Sequence, residues 1–274
     1  MAEPGLEVRG LRHTFNPGTQ QEVPALQGVD LAIAPGEFVI VLGTNGSGKS
    51  TLLSAIAGTF KVQRGDVLLG GERINDWPEH RRARRIGRVF QNPFHGTASD
   101  LTVAENLALA ETRERRSSLR PALTAARLEE IHDQIQQLDL GLENRLQTPM
   151  GALSGGQRQA LTLLMATIVR PELLLLDEHT AALDPRSEEQ VLRVTTHVIR
   201  RHSLTTLMVT HSLPQAVRVG DRIVMLHRGK VASEFSGVKK RLLRVQDLLD
   251  RFDQFRATEL LDDSAAEMLR RAYV

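Results

Sequence analysis

Phe38-Val39-Ile40-Val41-Leu42-Gly43-Thr44-Asn45-Gly46-Ser47-Gly48-Lys49-Ser50-Thr51 is the stretch that decides the fold. Its first five residues form an apolar, partly β-branched run without alternation, which reads as a strand buried on both faces. The run passes through a glycine-rich segment into Leu52-Leu53-Ser54-Ala55-Ile56-Ala57-Gly58, which predicts a helix ended by glycine. Strand, glycine loop and helix is the order that lets backbone N–H groups curl around phosphate oxygens at a positively polarised helix N-terminus. Gly43 to Ser50 also satisfies G-x-x-x-x-G-K-[ST], so Lys49 is placed for β and γ phosphates and the Ser50 hydroxyl for Mg²⁺. A nucleotide is therefore expected on Gly43, Thr44, Asn45, Gly46, Ser47, Gly48, Lys49, Ser50 and Thr51.

Upstream, Leu6 to Phe15 and Val29 to Ile33 read as short strands, separated by the turn signals Asn16-Pro17-Gly18 and followed by Ala34-Pro35-Gly36-Glu37. Downstream, residues 92 to about 165 carry helical spacing: Val103, Leu107 and Ala110; Leu128, Ile131, Ile135 and Leu138; Leu161, Leu164 and Ile168. This middle section is expected to be a mostly helical insert. Leu173-Leu174-Leu175-Leu176 then ends in Asp177-Glu178, and Leu204 to Val209 ends in Thr210-His211. Apolar strands with polar residues at their C-terminal ends predict an α/β fold whose parallel sheet gathers ligand chemistry at one edge.

With a phosphate loop upstream, Asp177 is positioned to hold Mg²⁺, usually through water, and Glu178 to polarise a water attacking the γ phosphate. Leu153-Ser154-Gly155-Gly156-Gln157-Arg158-Gln159 adds a second glycine-bearing helix start, with Ser154 as N-cap. That segment resembles the signature sequence of the ABC-type ATPase family. Other motifs similar to the family's follow the same order: Gln91 in VFQNP looks like the Q-loop, Ala182-Leu183-Asp184 like the D-loop, and His211 in VTHS like the switch histidine. The resemblance covers residues 6 to about 235.

It implies a P-loop NTPase with a parallel RecA-like core, an N-terminal antiparallel β subdomain and a helical signature subdomain at about 92–165. The ATPase domain would occupy 1–240 and a C-terminal helical extension 241–274. It further implies that Leu153, Ser154, Gly155, Gly156 and Gln157 meet ATP held by a second ATPase subunit in a head-to-tail dimer, with Asp184 in the D-loop. Glu178, His211 and Gln91 would be the catalytic set, and Ser50, Gln91 and Asp177 the Mg²⁺ set. Family members stack adenine on an aromatic residue of the first sheet, commonly tyrosine; Phe15 is the candidate, because Phe38 belongs to the buried run.

One departure from the family's usual DEPT is His179 in Asp177-Glu178-His179-Thr180. Histidine removes a backbone restriction but no acid, so activity is still expected. His179, His197, His202 and His227 are read as structural. The DEHTAALD segment, together with FNPGT and IGRVFQ, is similar to a bacterial group whose permeases resemble amino-acid importers. The tail from Gln246 to Val274 carries Leu248, Leu249, Phe252 and Phe255, then Leu260, Leu261, Met268 and Leu269 among charges, and predicts amphipathic helix.

Composition narrows the classes further. The 274 residues include 41% hydrophobic and 25% charged residues, enough for a sizeable core and incompatible with bulk disorder. No apolar stretch approaches the roughly 18 to 20 residues of a membrane helix, and the first residues lack the apolar region of a secretory signal. Without cysteine there is no disulfide framework and no thiolate chemistry. Basic runs stand at Arg81-Arg82-Ala83-Arg84-Arg85 and Arg113 to Arg116, but nucleic acid would need them joined in a stripe with aromatic stacking partners, and with only 4% aromatic residues they read as solvated surface, so none is expected as partner. What the resemblance implies is the ATP-hydrolysing subunit of a bacterial ABC transporter, at the cytoplasmic face of the plasma membrane. It would attach through separate integral permease subunits and energise solute transport, with import favoured and amino acids the candidate cargo, and with an extracytoplasmic substrate-binding protein. The alternatives are an exporter's ATPase, or a soluble ABC ATPase of translation or nucleic-acid maintenance. The latter is disfavoured by the absence of sustained heptads between Lys49 and Ser154 and by the single phosphate loop.

Overall fold

The computed structural model describes residues 3–113, 123–138 and 140–257. Three strands open the chain: β1 (Leu6–Phe15), β2 (Val23–Ile33) and β3 (Phe38–Gly43). Helix α1 (Lys49–Ala57) follows the glycine loop, and Gly58 ends it in the left-handed conformation with its N–H bonded to the Ser54 carbonyl, as the sequence predicts. Next come β4 (Arg64–Leu69), β5 (Glu72–Arg73), α2 (Glu79–Arg82) and β6 (Ile86–Val89). Between 92 and 165 the described residues form helices and turns, including α3 (Val103–Glu111), α4 (Ala125–Gln136) and the start of α5 (Gly155–Thr167). Then β7 (Leu173–Asp177), α6 (Pro185–His202), β8 (Thr206–Val209), α7 (Leu213–Val219), β9 (Arg222–His227), β10 (Lys230–Phe235) and α8 (Gly237–Leu242) complete the fold, with further helix over 245–257. Leu260, Leu261, Met268 and Leu269 lie outside the described residues.

The strands form two sheets. β2-β1-β4-β5 is antiparallel, and the larger sheet has the order β10-β9-β3-β8-β7-β6, in which every pair but β10–β9 is parallel. Side chains alternate across a strand. In the parallel sheet, Phe38, Ile40, Leu42, Leu174, Leu176 and Met208 face the core shared with α3 to α6. Val39, Val41, Leu173, Leu175, Leu207 and Val209 face a second core, shared with α1 and the antiparallel sheet. Two cores on one sheet explain why its central strands read as unbroken apolar runs: neither face meets water.

β4, β5, β6, β10 and α6 go beyond the sequence expectation. β4 and β10 carry charged residues and are half-exposed, which blurs their period, and β6 is only four residues long. Helix α6 carries an apolar stripe of Val191, Leu192, Val194, Thr195, Val198 and Ile199 beneath a strongly charged outer face.

Candidate nucleotide site

Four neighbouring parallel strands deliver the predicted residues to one edge. In the spatial order β3, β8, β7, β6, the strand ends lead into the Gly43–Ser50 loop, into Thr210-His211, into Asp177-Glu178 and into Phe90-Gln91. The ladder continues past the strands, for the Thr210 N–H donates to the Val41 carbonyl (3.3 Å) and the Glu178 N–H to the Val209 carbonyl (3.0 Å). Motifs far apart in sequence are thus fixed by β pairing.

Within the loop, Gly48 is the N-cap of α1 with φ of 99°, a conformation that a side chain rarely adopts. A Cβ there would also collide with the Ala25 carbonyl of β2. No side chain caps this helix, which leaves its first N–H groups without a side-chain partner. Lys49 is buried, and its ammonium donates to the carbonyls of Gly43 (2.9 Å) and Thr44 (3.0 Å). Burial pulls its pKa down, opposed by the negative charges of Glu178 and Asp177. Asn45, Gly46 and Ser50 are exposed.

Burial pushes the Asp177 carboxyl up, and this is opposed chiefly by Arg88, whose guanidinium lies 3.6 Å away. Arg88 rises from β6, donates to Ser54 Oγ (3.3 Å) and lies over the Phe90 ring. It therefore links two of the converging segments, Asp177-Glu178 and Phe90-Gln91, to helix α1. Glu178 holds φ of 44°, strained for a residue with a side chain, and its Oε2 lies 3.3 Å from His211 Nδ1. The Glu178 side chain is largely covered and that of His211 mostly exposed.

Ser154 caps α5 as expected: its Oγ accepts from the Gln157 N–H and Gln157 Oε1 accepts from the Ser154 N–H, both at 3.3 Å. Gly155 packs on Leu183, and a Cβ at Gly156 would lie 2.8 Å from that of Ser187. The signature thus abuts the 182–184 segment, where Asp184 caps α6 by accepting from the Arg186 and Ser187 N–H groups (both 3.1 Å). The Asp184 carboxyl is held below its usual range, first by the Ser187 side chain and then by the Ser187 and Arg186 N–H groups. Leu153 is buried. Further along, Arg158 donates to the carbonyls of Met150, Gly151 and Leu153, and Gln159 to that of Phe90. Gln91 itself is exposed. Among the described residues no hydrogen bond joins the signature to the phosphate loop; the structure brings Lys49, Asp177, Glu178 and His211 together and leaves Ser154 to face outward.

Phe15 stands at the end of β1 opposite Val23, 37% exposed, edge-on to His13 and Phe60. His179 is structural, as expected. Its Nε2 donates to Thr195 Oγ1 (3.0 Å), since that hydroxyl already donates to the Val191 carbonyl, and Nδ1 has no hydrogen-bond partner among the described residues. Complete burial brings the imidazole down to about 4. Arg88, Arg158 and the Gln215 described below escaped the sequence reading; a lone arginine in the short strand before VFQ was the available signal for the first.

Beside the loop lies a cavity of about 570 Å³, walled by Gly43 to Asn45 and His211 on one side and by Leu249, Phe252 and Arg256 on the other. Phe255 of the same helical segment stacks on His227, ring centroids 4.9 Å apart.

The model of the ABC transporter family matches residues 26–181. The tyrosine transport ATP-binding protein of Clostridioides difficile is 37% identical over 248 residues, covering 90% of this chain and 98% of that protein. The lipoprotein-releasing system ATP-binding protein LolD 1 of Caulobacter vibrioides is 37% identical, covering 80% of this chain and 92% of that protein. Among solved structures, the dimeric post-hydrolysis state of the ATP-binding cassette MJ0796, bound to ADP and Pi, superposes with a TM-score of 0.72 at 28% identity, over 84% of this chain and 98% of that one. A P-loop on the central parallel strand, with acids and a histidine on the neighbouring strand ends, is the arrangement these similarities call for, and the chain belongs to the ABC transporter family as an ATP-binding, ATP-hydrolysing cassette.

Proposed function

We propose that this cassette powers a bacterial importer, amino acids being the favoured cargo, through separate integral permease subunits to which it binds peripherally at the cytoplasmic face of the plasma membrane. An extracytoplasmic binding protein would deliver the cargo. The tyrosine-transport relative supports the cargo class, and no helix among the described residues is long and apolar enough to cross a membrane. Residues 1–240 form the ATPase domain in this reading, with 92–165 as its signature subdomain and 241–274 as an extension.

The observation that carries the catalytic reading is the 3.3 Å approach of His211 to Glu178 beside Lys49 and Asp177. Lys49 and the α1 N-terminus bind the phosphates, Glu178 orients the attacking water and accepts its proton, and His211 holds Glu178 and the γ phosphate in line. Phe15, open on one side, stacks adenine. The donors suit Mg²⁺: the exposed Ser50 hydroxyl and Asp177, joined by Gln91, with no group of three or more His, Cys, Asp or Glu among the described residues. Mg²⁺ takes few protein oxygens and completes its shell with phosphate and water. When bound it neutralises charge on the β and γ phosphates. Ser154 and Gly155 are exposed and no hydrogen bond among the described residues ties the signature to its own loop, which supports a second copy arranged head to tail presenting Ser154 to Gln157, with Asp184 nearby, to the ATP of the first.

Glu178→Gln preserves shape and removes the base. Steady-state hydrolysis should fall at least about 100-fold while ATP binding persists and a closed dimer accumulates in size-exclusion chromatography. Wild-type turnover by that variant would overturn the assignment. For the transport role, the tagged chain extracted from membranes should bring a permease, and vesicles containing both should accumulate an amino acid on addition of ATP.

A further inference from the structure

Gln215 lies in α7, 5% exposed, and every polar atom of its amide is used. Oε1 accepts from Thr210 Oγ1 (3.1 Å); Nε2 donates to Thr180 Oγ1 (3.0 Å) and to Glu188 Oε1 (2.5 Å). The orientation of the amide follows from chemistry, because the Glu188 carboxylate can only accept and so must face the NH₂ group. Thr210 Oγ1 in turn accepts from the Ser212 N–H (3.0 Å), and Ser212 Oγ accepts from the Gln215 N–H (3.4 Å).

The three partners belong to three different segments. Thr210 immediately precedes His211, Thr180 follows Glu178 by two residues, and Glu188 lies in the first turn of α6, the helix that Asp184 caps. Strand pairing fixes the backbone at the ends of β7 and β8, yet beyond those ends the chain turns sharply, with Glu178 in its strained conformation. Something must hold the turns. We propose that Gln215 is a positioning residue, a buried amide clamp that fixes the Glu178 turn and the His211 turn against each other and both against the start of α6. A neutral group with two donors and an acceptor suits the place: a carboxylate there would confront Glu188, and an apolar side chain would strand two hydroxyls and a carboxylate in a low-dielectric interior. The clamp rests on the reading that Glu178 and His211 act on the γ phosphate, and it touches neither the phosphate loop nor the nucleotide.

The test is Gln215→Glu, which keeps the shape, removes both donors and adds a like charge. Turnover is expected to fall about 10- to 100-fold, as misplacement of reacting groups does, with ATP affinity changed less than about 3-fold. In the double variant Gln215→Glu with Glu188→Gln, the amide at 188 donates to the carboxylate at 215, which also accepts from Thr210 and Thr180. Turnover should recover at least about 10-fold over the single variant. The double variant also keeps the proposal testable if the single one folds poorly. Unchanged turnover in Gln215→Glu, a parallel loss of ATP affinity, or a folded double variant as slow as the single one would each overturn the clamp. Glu178→Gln, assayed alongside, separates the two readings: if it hydrolyses ATP normally, the catalytic assignment fails. If it is inactive while Gln215→Glu is wild-type, only the clamp fails.

Discussion

Two glycine-flanked helix N-termini of this molecule are finished differently. Helix α1 begins at Gly48 with no side-chain cap and leaves its N–H groups to a ligand, while α5 begins at Ser154 inside a complete capping box. The first end has no side-chain partner for its N–H groups; at the second, the Ser154 and Gln157 N–H groups are paired within the chain. An uncapped end gains most from a ligand, because nothing must be displaced, and a lysine supplies the balancing charge. A capped end can wait in solvent at little cost and engage only when a partner arrives. The contrast fits a loop that binds ATP in a single chain and a signature that acts across a dimer.

The sharpest way to break the comparison is Lys49→Ala. Removing the one charged side chain of the uncapped end should weaken ATP binding by about 3 kcal/mol, about 100-fold by calorimetry. Unchanged affinity would mean that the backbone N–H groups suffice.

Acid should spare the Ser154–Gln157 cap, which does not titrate, and act instead at buried His179, which follows Glu178 and bonds Thr195 of α6. The imidazole takes a proton near its ordinary value of 6.5 when unfolded but only near about 4 when folded. The unfolded chain therefore binds more protons between those values, and stability present above pH 6.5 is lost as the pH falls towards 4. The loss amounts to about 3 kcal/mol at the lower limit. His179→Gln should flatten that part of a melting-temperature profile, and an identical acid profile in the variant would refute the assignment.

Ser154→Ala should have the smallest effect. Loss of the cap costs about 1 kcal/mol, visible as a lowered denaturation midpoint in the isolated chain. If the variant proves as stable as the parent, the two helix ends are not as different as the geometry indicates.

Legibility from sequence followed the same division between local and non-local causes. The Gly43–Ser50 loop, the Ser154 cap and the apolar strands β3, β7 and β8 could be read because each is a short-range pattern whose physics is complete within a few residues. Strand β6 could not: it has four residues and draws its identity from pairing with β7, far along the chain. Arg88 and Gln215 were hidden for the same reason, since a polar residue acquires a task only from what folding places around it. His179 shows the converse, as its structural role was legible while its Thr195 partner was not.

The strand order has a consequence for how this protein is made. β3 lies near the beginning of the chain, but its two neighbours in the sheet are β8 and β9, near the end. While synthesis proceeds, the strand bearing the phosphate loop waits with both edges unpaired until Thr206 to His227 have emerged from the ribosome. Such long-range pairing slows folding and exposes apolar strand edges in unfinished chains. The nucleotide loop, translated before both strands that flank β3, is thus held in place only after they form, and a chain interrupted before β8 carries the motif without the site.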